Sequence, residues 1–172
     1  ILSGFKTDNV TNMECMFSGC SSLTNLDVSG FNTSNVTNML AKFDECSGLT
    51  ILDVSGFNTA NVTGMGRMFC KCSGLTNINI SNFKTDNVMS IYNMFAGCRG
   101  LTTIYAGDGW STEKVELGSN MFGGCTALVG GEGTAYDAEH TDYTYAQIDG
   151  GPDNPGYFTK SGSEPYVGPK EQ

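Results

Sequence analysis

A period of 26 residues governs what this chain can fold into. Residues 28–53 read VSGFNTSNVTNMLAKFDECSGLTILD; the 26 before them read LSGFKTDNVTNMECMFSGCSSLTNLD, and the 26 after them VSGFNTANVTGMGRMFCKCSGLTNIN. Two more copies follow, residues 80–105 and a looser one from 106 to about 131, lengthened by one residue before Trp110. Self-similarity at such a period marks an array in which each unit packs on its neighbours.

The columns show what each unit buries. One column is Phe5, Phe31, Phe57, Phe83, Trp110, followed five residues on by Val10, Val36, Val62, Val88, Val115. Next come a Met column (Met13, Met39, Met65, then Ile91) and a second one, Met16, Lys42, Met68, Met94, Met121. Phe17, Cys20 and Leu23 then recur in every later turn, ending at Phe122, Cys125 and Leu128. About eight apolar side chains per unit are too few to offset the entropy of ordering 26 residues. Stacking buries both sides of each ring, so the array is expected to fold as one body.

Charge and hydropathy exclude several classes. The chain has 172 residues and a net charge of −9, with no predominance of Lys and Arg. Neither phosphate backbones nor anionic lipids attract such a surface, which argues against nucleic acid. No apolar run approaches the ~18 residues of a membrane helix, so insertion is not expected. There is no initiator Met, and Ile1 falls just before the first repeat; the sequence reads as an excised piece or a mature form.

Seven cysteines raise the question of disulfides or a metal, but five of them (Cys20, Cys46, Cys72, Cys98, Cys125) share one column. Stacked turns lie ~4.8 Å apart, whereas a disulfide needs converging Cβ atoms ~3.8 Å apart. Buried reduced thiols are expected, and a one-per-turn ladder does not converge on zinc. Cys15 and Cys70 lie off the column and are expected to be free. No cofactor is implied.

Within a unit, Leu23-x-x-Leu26-x-Val28 resembles a leucine-rich-repeat strand. Alternation sends Leu26 and Val28 inward, and Asn25, Asp27 and Ser29 outward. Thr37 stands as a helix N-cap behind Val36, and Thr11 with Glu14 forms a capping-box pattern. Met39, Phe43 and Cys46 fall at i, i+4, i+7, one stripe of a short helix, which Gly48, Gly74 and Gly100 would end. The expected turn is thus a short strand, a bend and a two-turn helix. A second short strand near Val36 is the other reading. Lys42 interrupts its Met column; its stem is expected along the apolar stripe at the helix edge, the ammonium reaching water beside Glu45.

The Thr column (Thr7, Thr33, Thr59, Thr85, Thr112) and the Asn column (Asn9, Asn35, Asn61, Asn87) are expected to satisfy backbone groups from turn to turn. Past residue 131 the repeat stops. Residues 132–172 carry Tyr136, Tyr143, Tyr145, Tyr157, Phe158 and Tyr166 among Gly, Pro and Asp, and are expected to form a small β-rich cap over the last ring, with strands at 144–149 and 156–159. Asp149, Asp153 and Asn154 have Ca²⁺-binding chemistry, yet Asp-Gly-Gly and Asn-Pro are ordinary turn sequences. The single histidine, His140, has no nucleophile beside it in sequence, so no catalysis is expected.

The unit Phe-Asn-Thr-Ser-Asn-Val-Thr-Asn-Met … Met-Phe-x-x-Cys-Ser-x-Leu-Thr-x-Leu-Asp resembles the 26-residue repeat of BspA-like bacterial surface proteins, a leucine-rich-repeat-type group. The resemblance covers residues 1 to about 131, and the tail TYAQIDGGPDNPGYFT is similar to segments that close such arrays. Lys42, Met89, Ile91 and the fifth turn depart from the pattern. The resemblance implies a secreted or surface-anchored, non-catalytic module that binds host matrix proteins, other cell-surface proteins or glycans; a structural spacer is the alternative. The expected fold is therefore an α/β solenoid, a right-handed leucine-rich-repeat-like stack of about five strand-plus-short-helix turns over residues 1–131, with the cap over 132–172. Ligand specificity is expected where packing leaves residues free, on two outward ridges. These are Asn25, Ile51, Asn77, Thr103 and Asp27, Asp53, Asn79, Tyr105. The uncapped amino end is expected to meet further repeats or to self-associate end to end.

Overall fold

Every second amide along the Met-to-Cys stretch of each unit points at the next turn. The N–H groups of Met39, Ala41, Phe43 and Glu45 donate to the carbonyls of Gly64, Gly66, Met68 and Cys70 at 2.8–2.9 Å. The same pairing recurs from Met13, Cys15, Phe17 and Gly19 to the second turn, and from the third and fourth turns onward. The amides in between close tight turns on their own chain, as Lys42 N–H to Met39 O and Asp44 N–H to Ala41 O. Ala41 (φ 52°) and Glu45 (φ 60°) take positive φ as third residues of the turns over 39–42 and 43–46, the position that a type II turn requires. The equivalents of these two positions, Cys15 and Gly19, Arg67 and Lys71, Asn93 and Gly97, Asn120 and Gly124, do the same.

This overturns the expected architecture. The computed structural model describes residues 2 and 4–168, so positions 169–172 of the expected 132–172 tail lie outside it, as do Ile1 and Ser3. Among the described residues there is no α-helix, only a one-turn 3-10 segment at Tyr143–Tyr145. The chain is therefore not an α/β solenoid of strand-plus-helix turns; Thr37 caps no helix, and its hydroxyl donates to Thr11 O. Among the described residues the regular strands are three: β1 (Asn77–Asn79), β2 (Thr103–Ala106) and β3 (Phe158–Lys160), a parallel sheet in the order β1-β2-β3. The Asn25↔Ile51 bridge extends the same face to the earlier turns. A second ladder of single parallel bridges runs through Asn12, Asn38, Gly64, Ser90 and Leu117. The extended alternative near Val36 is thus closer to the outcome than the helix.

The apolar columns form one continuous core. Phe17, Phe43, Phe69, Phe95 and Phe122 stack face to face, with centroids 5.5–6.0 Å apart. Phe43, Phe69, Phe95 and Phe122 are fully buried. Among the described residues all seven cysteines are free, Cys15 exposed and Cys20 half-buried rather than buried. Each later column thiol donates to a Phe carbonyl of the turn before it: Cys46 to Phe17, Cys72 to Phe43, Cys98 to Phe69 and Cys125 to Phe95, at 3.0–3.1 Å. The column therefore wants a small side chain that can still donate, which is cysteine's place here. Thr7, Thr33, Thr59 and Thr85 each accept from and donate to the turn after, Thr7 accepting from Asn32 N–H at 2.8 Å and donating to Asn32 O at 3.0 Å; Thr112, in the last turn, makes no such pair among the described residues. Asn35, Asn61 and Asn87 reach back to Asp8, Ser34 and Ala60 carbonyls.

Lys42 also departs from expectation. Its side chain is fully buried and its ammonium does not reach water. Nζ lies 3.0 Å from Met13 Sδ and 3.3 Å from Met16 Sδ, and 5.1–5.6 Å from the ring centres of Phe17, Phe31, Phe43 and Phe57. Glu45 pairs instead with Lys71, at 2.8 Å. Thioethers are weak acceptors and ring faces attract cations only modestly, so burial pushes the Lys42 amine down to about 8.

The tail closes the far end by taking up the amides that a sixth turn would. Phe122 N–H donates to Thr141 O, and Gly124 N–H to the Tyr136 hydroxyl. Tyr157 and Phe158, both fully buried, pack edge-on to Phe122, and Phe158 also to Trp110. The cap is not β-rich: β3 is its one regular strand among the described residues, 144–149 forming no strand of its own beyond the Ile148↔Phe158 bridge.

Candidate functional site

Parallel pairing from turn to turn sets the geometry of the outward strand face. Asn25 lies opposite Ile51, Asn77 opposite Thr103, and Asn79 opposite Tyr105. Asn25, Asp27, Ile51, Asp53, Asn77 and Asn79 are exposed, Ile51 at 71%. Two shallow hollows lie along this face. One, of about 420 Å³, is bordered by Ile51, Asp53, Asn77 and Asn79. The other, of about 440 Å³, is bordered by Asn77, Thr103 and Tyr105 on one side and by Pro165 and Tyr166 of the tail on the other.

Two of the expected ridge features differ. Thr103 is buried at 7% and Tyr105 is half-buried, because the fifth turn and the returning tail border them. The second ridge is also partly occupied by its own turn. Asp27 accepts from the N–H and hydroxyl of Ser29, Asp53 from Ser55 N–H, and Asn79 from Ser81 N–H. These bonds from Ser29 and Ser55 hold both carboxyls below the usual carboxylate range. Each carboxylate keeps a second oxygen for a partner.

The Asp149 loop is built for closure. Its carboxylate accepts from Glu132 N–H, Thr134 N–H, the Thr134 hydroxyl and Gly151 N–H, at 2.7–3.0 Å. Burial acts to raise its pKa, but those donors outweigh it and the net shift is downward. An anion ringed by four donors serves the turn. Among the described residues no group of three or more His, Cys, Asp or Glu could hold a metal ion. His140 bonds Asp137 at 2.9 Å and stacks on Tyr145 at 4.7 Å. Another open hollow, of about 500 Å³, is bordered by the Lys71–Glu45 pair, Arg99 and a ladder of Ser21, Ser47 and Ser73.

A second exposed patch lies outside the ridges that alternation predicts. Leu40, Met89, Tyr92 and Leu117 gather beside the outer ladder, with Met89 45% and Leu117 59% exposed. Tyr92 lies over Gly66, where any Cβ would strike its ring. The signal was present: the repeat template has Thr where Met89 stands and Asn where Leu117 stands. Packing does not ask for these apolar residues.

Among the described residues no helix is long and apolar enough to cross a membrane. A family model described as "Mycoplasma protein of unknown function, DUF285" matches residues 1–106 and 43–146. No curated protein and no solved structure matches the chain.

Proposed function

Because the chain belongs to the family described as Mycoplasma protein of unknown function, DUF285, for which no activity is given, we propose its function from the geometry: a non-catalytic binding module whose strand face takes an extended peptide segment or glycan chain. The observation that carries this reading is the exposed ladder of Asn25, Ile51 and Asn77 beside Asp27, Asp53 and Asn79. Its amides, carboxylates and one apolar anchor repeat at a spacing of ~5 Å, which suits a chain-like partner better than a compact metabolite. The resemblance to BspA-like surface proteins supports a setting outside the cell, secreted or surface-anchored, with a host matrix protein, another surface protein or a glycan as partner. The acidic charge supports a partner that is not nucleic acid.

Contact per turn is small, so binding is expected to be weak for one chain and strong only across several copies. The test is Ile51→Ala with Asn77→Ala and Tyr105→Ala, displayed as a multimer on glycan and matrix-protein arrays. The triple variant is expected to lose at least tenfold in apparent affinity while its melting curve is kept. The apolar patch gives a second reading, tested by Met89→Thr with Leu117→Asn. Binding lost there and kept in the strand-face variant would move the site to that patch.

A further inference from the structure

The hollow between β2 and the tail has a wall of unspent acceptors. Thr103 borders it, although the residue is only 7% exposed. The Thr102 hydroxyl donates its one proton to Thr76 O at 2.9 Å, so Thr103 is the donor in the 3.4 Å contact between the two hydroxyls. The Thr103 oxygen keeps its lone pairs, and no donor among the described residues takes them. Asn77 stands beside it, exposed. Its amide nitrogen reaches Thr76 Oγ1 at 3.5 Å, and its amide oxygen meets no donor among the described residues. Across the hollow the Tyr166 ring comes up against Gly133, where φ is 97° and a Cβ would sit 2.9 Å from Cζ. A residue without a side chain gives the ring that seat, and the tyrosine stays 43% exposed.

No charged residue borders the hollow among the described residues. β2 lies between β1 and β3, with its main chain paired on both sides. A peptide segment therefore finds neither a strand edge to join nor a counter-charge there. Tyr105, Tyr166, a carboxamide and a buried hydroxyl oxygen suit a sugar better. Sugar rings have apolar C–H faces that pack on aromatic rings, and hydroxyls that donate to such acceptors. At about 440 Å³ the hollow falls low in the ~300–1,000 Å³ range of small-ligand sites, which suits a short piece of a longer chain. Resting on the strand-face reading, we infer that this hollow is a subsite for a neutral pyranose of a glycan, seated against Tyr166 and Tyr105 with its hydroxyls on Thr103 and Asn77. A sialylated or sulfated sugar would bring negative charge to a chain of net charge −9, with no cation bordering the hollow.

The experiment displays the full chain as a multimer on an array of neutral glucans, galactans and mannans, sialylated and sulfated glycans, and matrix-protein peptides. The parent is expected to bind neutral glycans. Tyr166→Ala removes a ring and Thr103→Val the buried acceptor; each is expected to lose about tenfold in apparent affinity, as for an anchor residue. Tyr166→Phe keeps the ring and is expected to bind like the parent. Should Thr103→Val melt early, Tyr166→Ala against Tyr166→Phe carries the test alone. Neutral glycans bound equally by the parent and Tyr166→Ala overturn the inference, and so does binding confined to charged glycans or to peptides. Ile51→Ala, outside the hollow, separates this inference from the reading it rests on. Glycan binding lost in Ile51→Ala but kept in Tyr166→Ala leaves the strand face as the site without this subsite. A parent that binds nothing on the array overturns both.

Discussion

Lys42→Met is expected to stabilise the fold by about 3 kcal/mol at pH 7, read as a raised urea midpoint. The chain already holds Met at this column in four of five turns, so the substitute fits a space the repeat was built around. What it removes is a buried ammonium with two thioethers and four ring faces for company and no carboxylate. A fall from 10.5 to about 8 is 2.5 pH units, or about 3 kcal/mol at ~1.36 per unit. Below pH 8 both states carry the proton, and the folded one bears the full cost. Between about 8 and 10.5 the unfolded state alone stays protonated there, so this group's contribution rises with pH and then levels off. The advantage of the Met variant should therefore shrink as the pH passes from 8 to 10.5. A variant no more stable than the parent at pH 7 would mean that the rings and sulfurs solvate the ammonium fully.

The fold is expected to collapse between about pH 10 and 11, driven by its thiols. Burial pushes Cys46 and Cys70 up to about 11 and Cys125 up to about 12, with Cys72 higher still and Cys98 also well above a thiol's ordinary value. Unfolded, all five ionise near 9.0. Folded thiols that keep protons which unfolded ones lose make stability fall as pH rises above 9. Five thiols against one lysine titrating the other way leave four protons, a slope of about 5 kcal/mol per pH unit. Against a total of about 5–10 kcal/mol, the lower part of the usual range, one to two units suffice. Urea titrations from pH 8 to 11 measure the slope, and Cys72→Ala with Cys98→Ala should lower it by two protons. Stability that stays level to pH 11 would show that the thiols are not sealed from solvent.

The columns could be read from the chain because each turn meets a copy of itself, so a residue's depth repeats every 26 positions. The backbone between them could not. Met39, Phe43 and Cys46 fall at i, i+4, i+7 on a helix, yet overlapping turns at 39–42, 41–44 and 43–46 bring the same residues to one side. Periodicity of side chains cannot tell whether an amide is spent four residues back or on the next turn. The only local hint lay at the positive-φ positions, where Gly19, Gly97 and Gly124 recur. Asp27 and Asp53 face outward as alternation predicts, but Asp-x-Ser is also a turn motif, and its bonds turn half of each carboxylate to structure. Alternation predicts Thr103 outward, yet it is buried because the tail, which no repeat describes, borders it. Sequence pattern predicts the Lys42 ammonium in water, because an unpaired buried ammonium is a costly arrangement.

The direction of the hydrogen bonds between turns also decides how the molecule bears load. They run along the stack, so tension applied from end to end falls on one interface at a time, not on a whole sheet in shear. Such an array gives way by peeling, and each 26-residue turn frees about 90 Å of chain at ~3.4 Å per residue. For a chain held at one end and gripping a partner along its side, that makes the repeat an extensible tether, lengthening turn by turn before its grip is broken.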